Sequence, residues 1–120
     1  MNKTLLGFGS AACAVAAVAL LSSSAKASQG AVRSFDIRGD QFAFSPARIE
    51  VQKDDVVKIS FTAADMAHSF TMDGAYRIAK RAAAGQTVTF EFRASSSERF
   101  YCNLNQDERC KEMHGELVVK

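Results

Sequence analysis

The chain has no tryptophan, only one proline, two histidines and two tyrosines in its 120 residues. One proline with seven glycines cannot build the every-third-glycine repeat of a collagen-like fibre. Charged residues at 23% and hydrophobic residues at 48% are too apolar for a disordered tail and too polar for a multi-span membrane protein. No G-x-S-x-G elbow, phosphate-binding P-loop or H-E-x-x-H motif occurs, so the commonest signatures of hydrolases, nucleotide-binding proteins and metalloproteases are missing. The length allows one domain.

What is present begins with a leader. Lys3 is the only charge before Lys26, the stretch from Leu5 to Leu21 is apolar or small, and Ser22, Ser23 and Ser24 precede Ala25-Lys26-Ala27. A charged start, an apolar middle and an A-x-A box predict a secretory signal peptide over 1–27, leaving a domain over 28–120. A retained anchor is the competing reading, but 17 residues rich in alanine and glycine are at the short limit for a membrane span. Lipidation of Cys13 is disfavoured, because that cysteine sits midway along the apolar run. Cleavage removes Lys3 and Lys26 from 15 basic residues and leaves 13 against 13 acidic ones. The mature chain is then neutral, with no basic run to bind nucleic acid. It retains Cys102 and Cys110, and outside the cytosol such a pair serves as a disulfide, as metal thiolates, or as both in turn.

Residues 28–120 read with a period of two. Phe35 and Ile37 alternate with Asp36 and Arg38, Phe42 with Phe44, and Val57, Ile59 and Phe61 with Lys58 and Ser60. His68-Ser69-Phe70-Thr71-Met72, Thr87 to Arg93, Arg99 to Cys102 and Glu116 to Lys120 continue the pattern. Seven or eight short strands separated by turn signals predict an all-β, antiparallel β-sandwich. The segment Tyr76 to Ala84, rich in alanine, fits one helical turn or a loop.

Soft and borderline metal ligands gather at two places, Met66-Ala67-His68 and the stretch from Cys102 through Cys110 to Met113-His114. Thiolate, imidazole and thioether together select copper over hard cations. Zinc is the competitor, and it would need both cysteines and both histidines. Met66 and Met72 read as packing residues. His114 follows Met113 directly, and neighbours on a strand face opposite ways, so it reads as a rim residue. Arg77, Lys80 and Arg81 read as a solvated basic face.

From about Phe42 to Lys120 the sequence resembles the cupredoxins. Phe42-Ala43-Phe44-Ser45-Pro46 leading to Ile49-Glu50-Val51 is similar to the family's first strands. Asp65-Met66-Ala67-His68-Ser69-Phe70 is similar to the strand bearing the first copper histidine. Arg99-Phe100-Tyr101-Cys102 resembles the strand that ends in the copper thiolate, and Met113-His114-Gly115-Glu116-Leu117 the axial methionine and last strand. The resemblance implies a Greek-key sandwich with copper at one end. It also implies electron transfer or copper handling rather than enzymatic turnover.

Ordinary blue copper members carry a second histidine between thiolate and methionine. Residues 103–112 contain none, and Cys110 is their only soft ligand. Three readings follow. Cys110 replaces the histidine in a mononuclear site of His68, Cys102, Cys110 and Met113. Alternatively, both cysteines bridge a binuclear centre as in the oxidase copper subunit, although that family separates them by three residues and this chain by seven. In the third, Cys102 and Cys110 form a disulfide without metal, which closes a loop of nine residues and contributes about 2.5 kcal/mol on the chain-entropy argument. The expectation carried forward is a mononuclear copper protein, monomeric and periplasmic or secreted. Its partners would be a redox protein or a copper donor and acceptor, with no membrane attachment once the leader is removed. A copper chaperone or storage protein and a metal-free, disulfide-stabilised sandwich are the alternatives.

Overall fold

The computed structural model describes residues 30–105 and 107–120. The expected signal peptide and Cys13 lie outside the described residues. Alternation sets the strands. In β4 (Val56–Ala63), Val57, Ile59, Phe61 and Ala63 are buried while Lys58 is exposed and Ser60 and Thr62 are half-buried. The other strands are β1 (Val32–Asp40), β2 (Ala43–Ser45), β3 (Arg48–Val51), β5 (His68–Met72), β6 (Ile78–Ala82), β7 (Thr87–Arg93), β8 (Glu98–Tyr101) and β9 (His114–Val119). They form a four-stranded sheet in the order β2-β1-β4-β7 and a five-stranded sheet in the order β3-β9-β8-β5-β6. β1 runs parallel to β4 and β3 parallel to β9; the remaining pairs are antiparallel. The expected all-β sandwich is present.

Tyr76 to Ala84 departs from expectation. It contains β6, a strand at the sheet edge that pairs only with β5. Ala79, Lys80 and Arg81 are exposed and only Ala82 is buried, so the burial pattern that reveals a strand is missing. Charges on such an edge discourage pairing with another chain. Phe42 also lies outside the alternation that ends at Phe44. With Gln41 it makes the turn between β1 and β2, at φ of 51° for Gln41 and 66° for Phe42.

The core between the sheets is aromatic. Phe70 stacks on Phe100 at 4.6 Å between centroids and meets Phe90 at 5.2 Å, Phe61 at 6.1 Å and Phe44 at 6.2 Å. Gly115 stands opposite Phe100 in the ladder. A Cβ there would lie 2.3 Å from the Phe100 ring, so the ring occupies the space where a side chain would be.

Asp55 ties the entry of β1 to the turn before β4. It is 3% exposed, and it accepts hydrogen bonds from the Gln52 and Ala31 N–H groups and from Arg33 Nε. The Gln52 bond contributes most; with the Ala31 and Arg33 interactions it outweighs burial and holds the carboxyl below the usual range. A depressed folded pKa stabilises the fold above the unfolded value, about 3.9, and that contribution is lost as pH falls through the folded value. Melting temperature followed from pH 7 to pH 2 should therefore decline in this acid window. In Asp55→Asn the protein should be less stable at pH 7 and show a shallower acid decline.

Candidate metal centre

β8 is antiparallel to both β5 and β9, so the start of β5, the end of β8 and the start of β9 meet at one end of the sandwich. His68 opens β5, Cys102 follows β8, Cys110 rides a 3₁₀ turn (Glu108–Glu112), and Met113 precedes β9. All four predicted site residues are buried: His68 and Cys102 at 1% exposure, Cys110 at 3% and Met113 at 0%. The Cys102 N–H donates to the Met113 carbonyl at 3.3 Å, which continues the ladder beyond the Tyr101–His114 pair. Met113 is buried and His114 exposed, as strand alternation requires.

Cys102 and Cys110 are joined as a disulfide, with their Cα atoms 5.4 Å apart. Of the open readings for this pair, the described state is the disulfide. Among the described residues no group of three or more histidine, cysteine, aspartate or glutamate side chains is arranged to hold a metal ion. Reduction would supply two thiols beside Met113.

His68 carries the distinctive chemistry. Its Nε2 lies 2.7 Å from Asp65 Oδ1. Burial raises the Asp65 pKa, but hydrogen bonds from His68 and from the Gln41 and Met66 N–H groups outweigh it and hold the carboxyl below the usual range. An ionised carboxylate only accepts, so Nε2 is the donor and carries the proton. With Nε2 carrying the proton, the neutral form of the ring has its lone pair on Nδ1, and that atom is buried with no hydrogen-bond partner. Buried polar atoms are nearly always paired, and a histidine that ligates a metal commonly gives its other N–H to a carboxylate in this way. A ring nitrogen in this state fits a metal ion; the two sulfurs fit one only after reduction.

The profile describing the cupredoxin-like domain matches residues 11–119. The chain belongs to the cupredoxin-like family. Solved cupredoxin folds agree. Auracyanin A, a "blue" copper protein from Chloroflexus aurantiacus, is 20% identical, with a TM-score of 0.58 over 74% of this chain and 99% of its own. A chain of a heme-copper terminal oxidase dimer is 16% identical with a TM-score of 0.63, over 73% of this chain and 65% of its own. The Cu(I)-bound metal-binding domain of a Cu(I)-exporting P-type ATPase from Streptococcus pneumoniae is 18% identical, with a TM-score of 0.54 over 77% and 89%. This cupredoxin spans about two fifths of the multicopper oxidase chains that it also matches. No curated protein matches it by sequence.

Several residues that shape this cupredoxin's site are not legible as ligands. Asp65 stands out in the sequence only as part of the Asp65-to-Phe70 motif. Its role depends on the bend that brings position 65 back to position 68. Gly39 leaves room for the His68 ring, since a Cβ there would sit 3.3 Å from His68 Cδ2. Ser69 Oγ donates to Asn103 Oδ1 at 2.7 Å and accepts from the Asn103 N–H at 2.8 Å, which pins the 103–112 loop to β5. Met72 is a core residue, whereas Met66 sits half-buried in the bend before β5. His114 is exposed, 3.0 Å through Nδ1 from the Glu112 carbonyl. Arg77, Lys80 and Arg81 are exposed.

Proposed function

We propose that this chain is an exported, monomeric cupredoxin that binds one copper ion through His68, Cys102, Cys110 and Met113 in its reduced form and passes single electrons without turning over a substrate. The observation that carries the reading is the buried, unpartnered Nδ1 of His68, oriented by Asp65. The thiols come from the Cys102–Cys110 disulfide by exchange with a dithiol reductant, which supplies two electrons and two protons and closes its own disulfide. Copper, when bound, supplies a one-electron couple. The chain's own part is to hold the imidazole in one tautomer, to keep Met113 across the ladder from Cys102, and to exclude water from both. Side chains locked by packing before and after electron transfer reduce the reorganisation that accompanies it. The leader over 1–27 and the disulfide support an oxidising compartment, periplasmic or extracellular. The partner would be a redox protein.

The paired sulfurs favour a second reading. Two thiolates with a thioether prefer Cu(I), which suits a copper chaperone or storage protein that exchanges metal with a donor and acceptor. Visible spectra of the reduced mature chain separate the two. An intense thiolate-to-copper absorption with Cu(II) is expected for electron transfer, and Cu(I) uptake without that absorption would replace that reading by the chaperone. Reduced thiols that take up neither ion would leave the metal-free, disulfide-stabilised sandwich. Asp65→Ala should keep the fold and weaken copper binding by about 10- to 100-fold, measured by competition with a chromogenic Cu(I) chelator.

A further inference from the structure

The turn that carries Cys110 is tied to the opposite side of the site by a contact that the copper reading does not use. Arg109, the neighbour of Cys110, places its guanidinium 4.3 Å from the centroid of the Phe42 ring. The same guanidinium group bonds the Asp107 carboxylate through Nε at 3.3 Å and a terminal nitrogen at 3.2 Å, which fixes its direction. Phe42 in turn stands edge-on to His68, at 6.2 Å between centroids and 87° between planes. The half-buried phenyl ring therefore lies between His68 and Arg109.

The backbone beneath Phe42 is held against its preference. Gln41 and Phe42 both occupy the left-handed region, where a two-residue hairpin turn favours Asn-Gly and a bulky side chain is disfavoured. The surrounding contacts keep it there. Gln41 N–H donates to Asp65 Oδ2 at 3.1 Å, on the carboxylate that orients His68. One chain of contacts thus runs from the strained turn through Asp65 to His68, and from Phe42 through Arg109 to the Cys110 turn.

The geometry points to Phe42 and Arg109 as positioning residues that hold the 108–112 turn down and so control access to the Cys102–Cys110 pair. Both sulfur-bearing residues are buried, so a small thiol or Cu(I) reaches them only when the turn lifts, and lifting it breaks the ring–guanidinium contact. The copper part of this inference rests on the proposed site; the disulfide part does not. In the test, the oxidised mature chain is mixed with excess dithiothreitol, quenched with iodoacetamide at intervals, and weighed by mass spectrometry. Dithiothreitol attacks one sulfur, the S–S bond breaks, and its second thiol closes a cyclic disulfide to leave two protein thiols.

Arg109→Ala should be reduced about two- to five-fold faster than wild type, the factor expected for losing an exposed cation–π contact. Phe42→Gly, which suits the positive φ, should be reduced on the order of ten-fold faster. Phe42→Tyr should restore the wild-type rate. The same order should hold for the rate of Cu(I) uptake by pre-reduced protein. A wild-type rate for Arg109→Ala overturns the inference, and so does a Phe42→Tyr rate as fast as that of Phe42→Gly. If Phe42→Gly does not fold, Arg109→Ala decides alone. If Cu(I) is not bound at all while the reduction rates follow the expected order, the copper reading fails and the latch stands.

Discussion

Oxidised protein should take up no copper at this site, and protein reduced under anaerobic conditions should take up one Cu(I) per chain. In the disulfide each sulfur is spent on the other, and His68 and Met113 alone make a weak pair of donors for a soft ion. Reduction frees two thiols, and deprotonation on binding makes them the strongest copper donors in the set. His68→Ala should lose more affinity than the roughly 100-fold ceiling for a second-shell partner, because it removes a donor whose lone pair already stands unpaired in the buried site. Metal analysis after gel filtration, with free thiols counted on the same sample, reads both results. One equivalent bound by the oxidised form, or undiminished binding by His68→Ala, would remove the proposed ligand set. Two equivalents per chain would favour a binuclear centre.

Phe70→Ala should be the most destabilising single truncation in the core, lowering stability by about 3–5 kcal/mol. Phe70 is fully buried and its ring touches those of Phe44, Phe61, Phe90 and Phe100, so its loss leaves a cavity bounded by groups from both sheets. Urea unfolding followed by circular dichroism measures it. Opening the Cys102–Cys110 loop costs about 2.5 kcal/mol on the chain-entropy argument, less than the loss of this one ring. Total stabilities of about 5–15 kcal/mol are usual for a domain, so the aromatic core should keep the reduced protein folded. A reduced wild type that unfolds at 25 °C would show instead that the disulfide is structural.

The strands were legible where one face is buried and the other wet. β4 reads from Val57, Ile59 and Phe61 against Lys58 and Ser60 because both of its neighbours, β1 and β7, pair with it. β6 was not legible, because an edge strand that buries only Ala82 leaves no alternation to see. At the site, His68, Cys102, Cys110 and Met113 could be picked out by ligand chemistry and by motif. Asp65 could not, because its hydrogen bond to His68 depends on a bend. Phe42 and Arg109 are 67 positions apart (109 less 42), and no local pattern connects them.

The sequence already specifies a sandwich with soft donors at two separated places, because a period of two and the identity of sulfur and imidazole groups are properties of the chain. It also established that the cysteines are separated by seven residues and that no second histidine lies between thiolate and methionine. How these scarce residues are arranged depends on the fold. Two cysteines at such a spacing can be cross-linked only where the fold brings their Cα atoms close, here to 5.4 Å. The availability of one imidazole nitrogen likewise follows from where Asp65 sits, because the carboxylate that accepts the hydrogen bond from Nε2–H leaves Nδ1 without a partner.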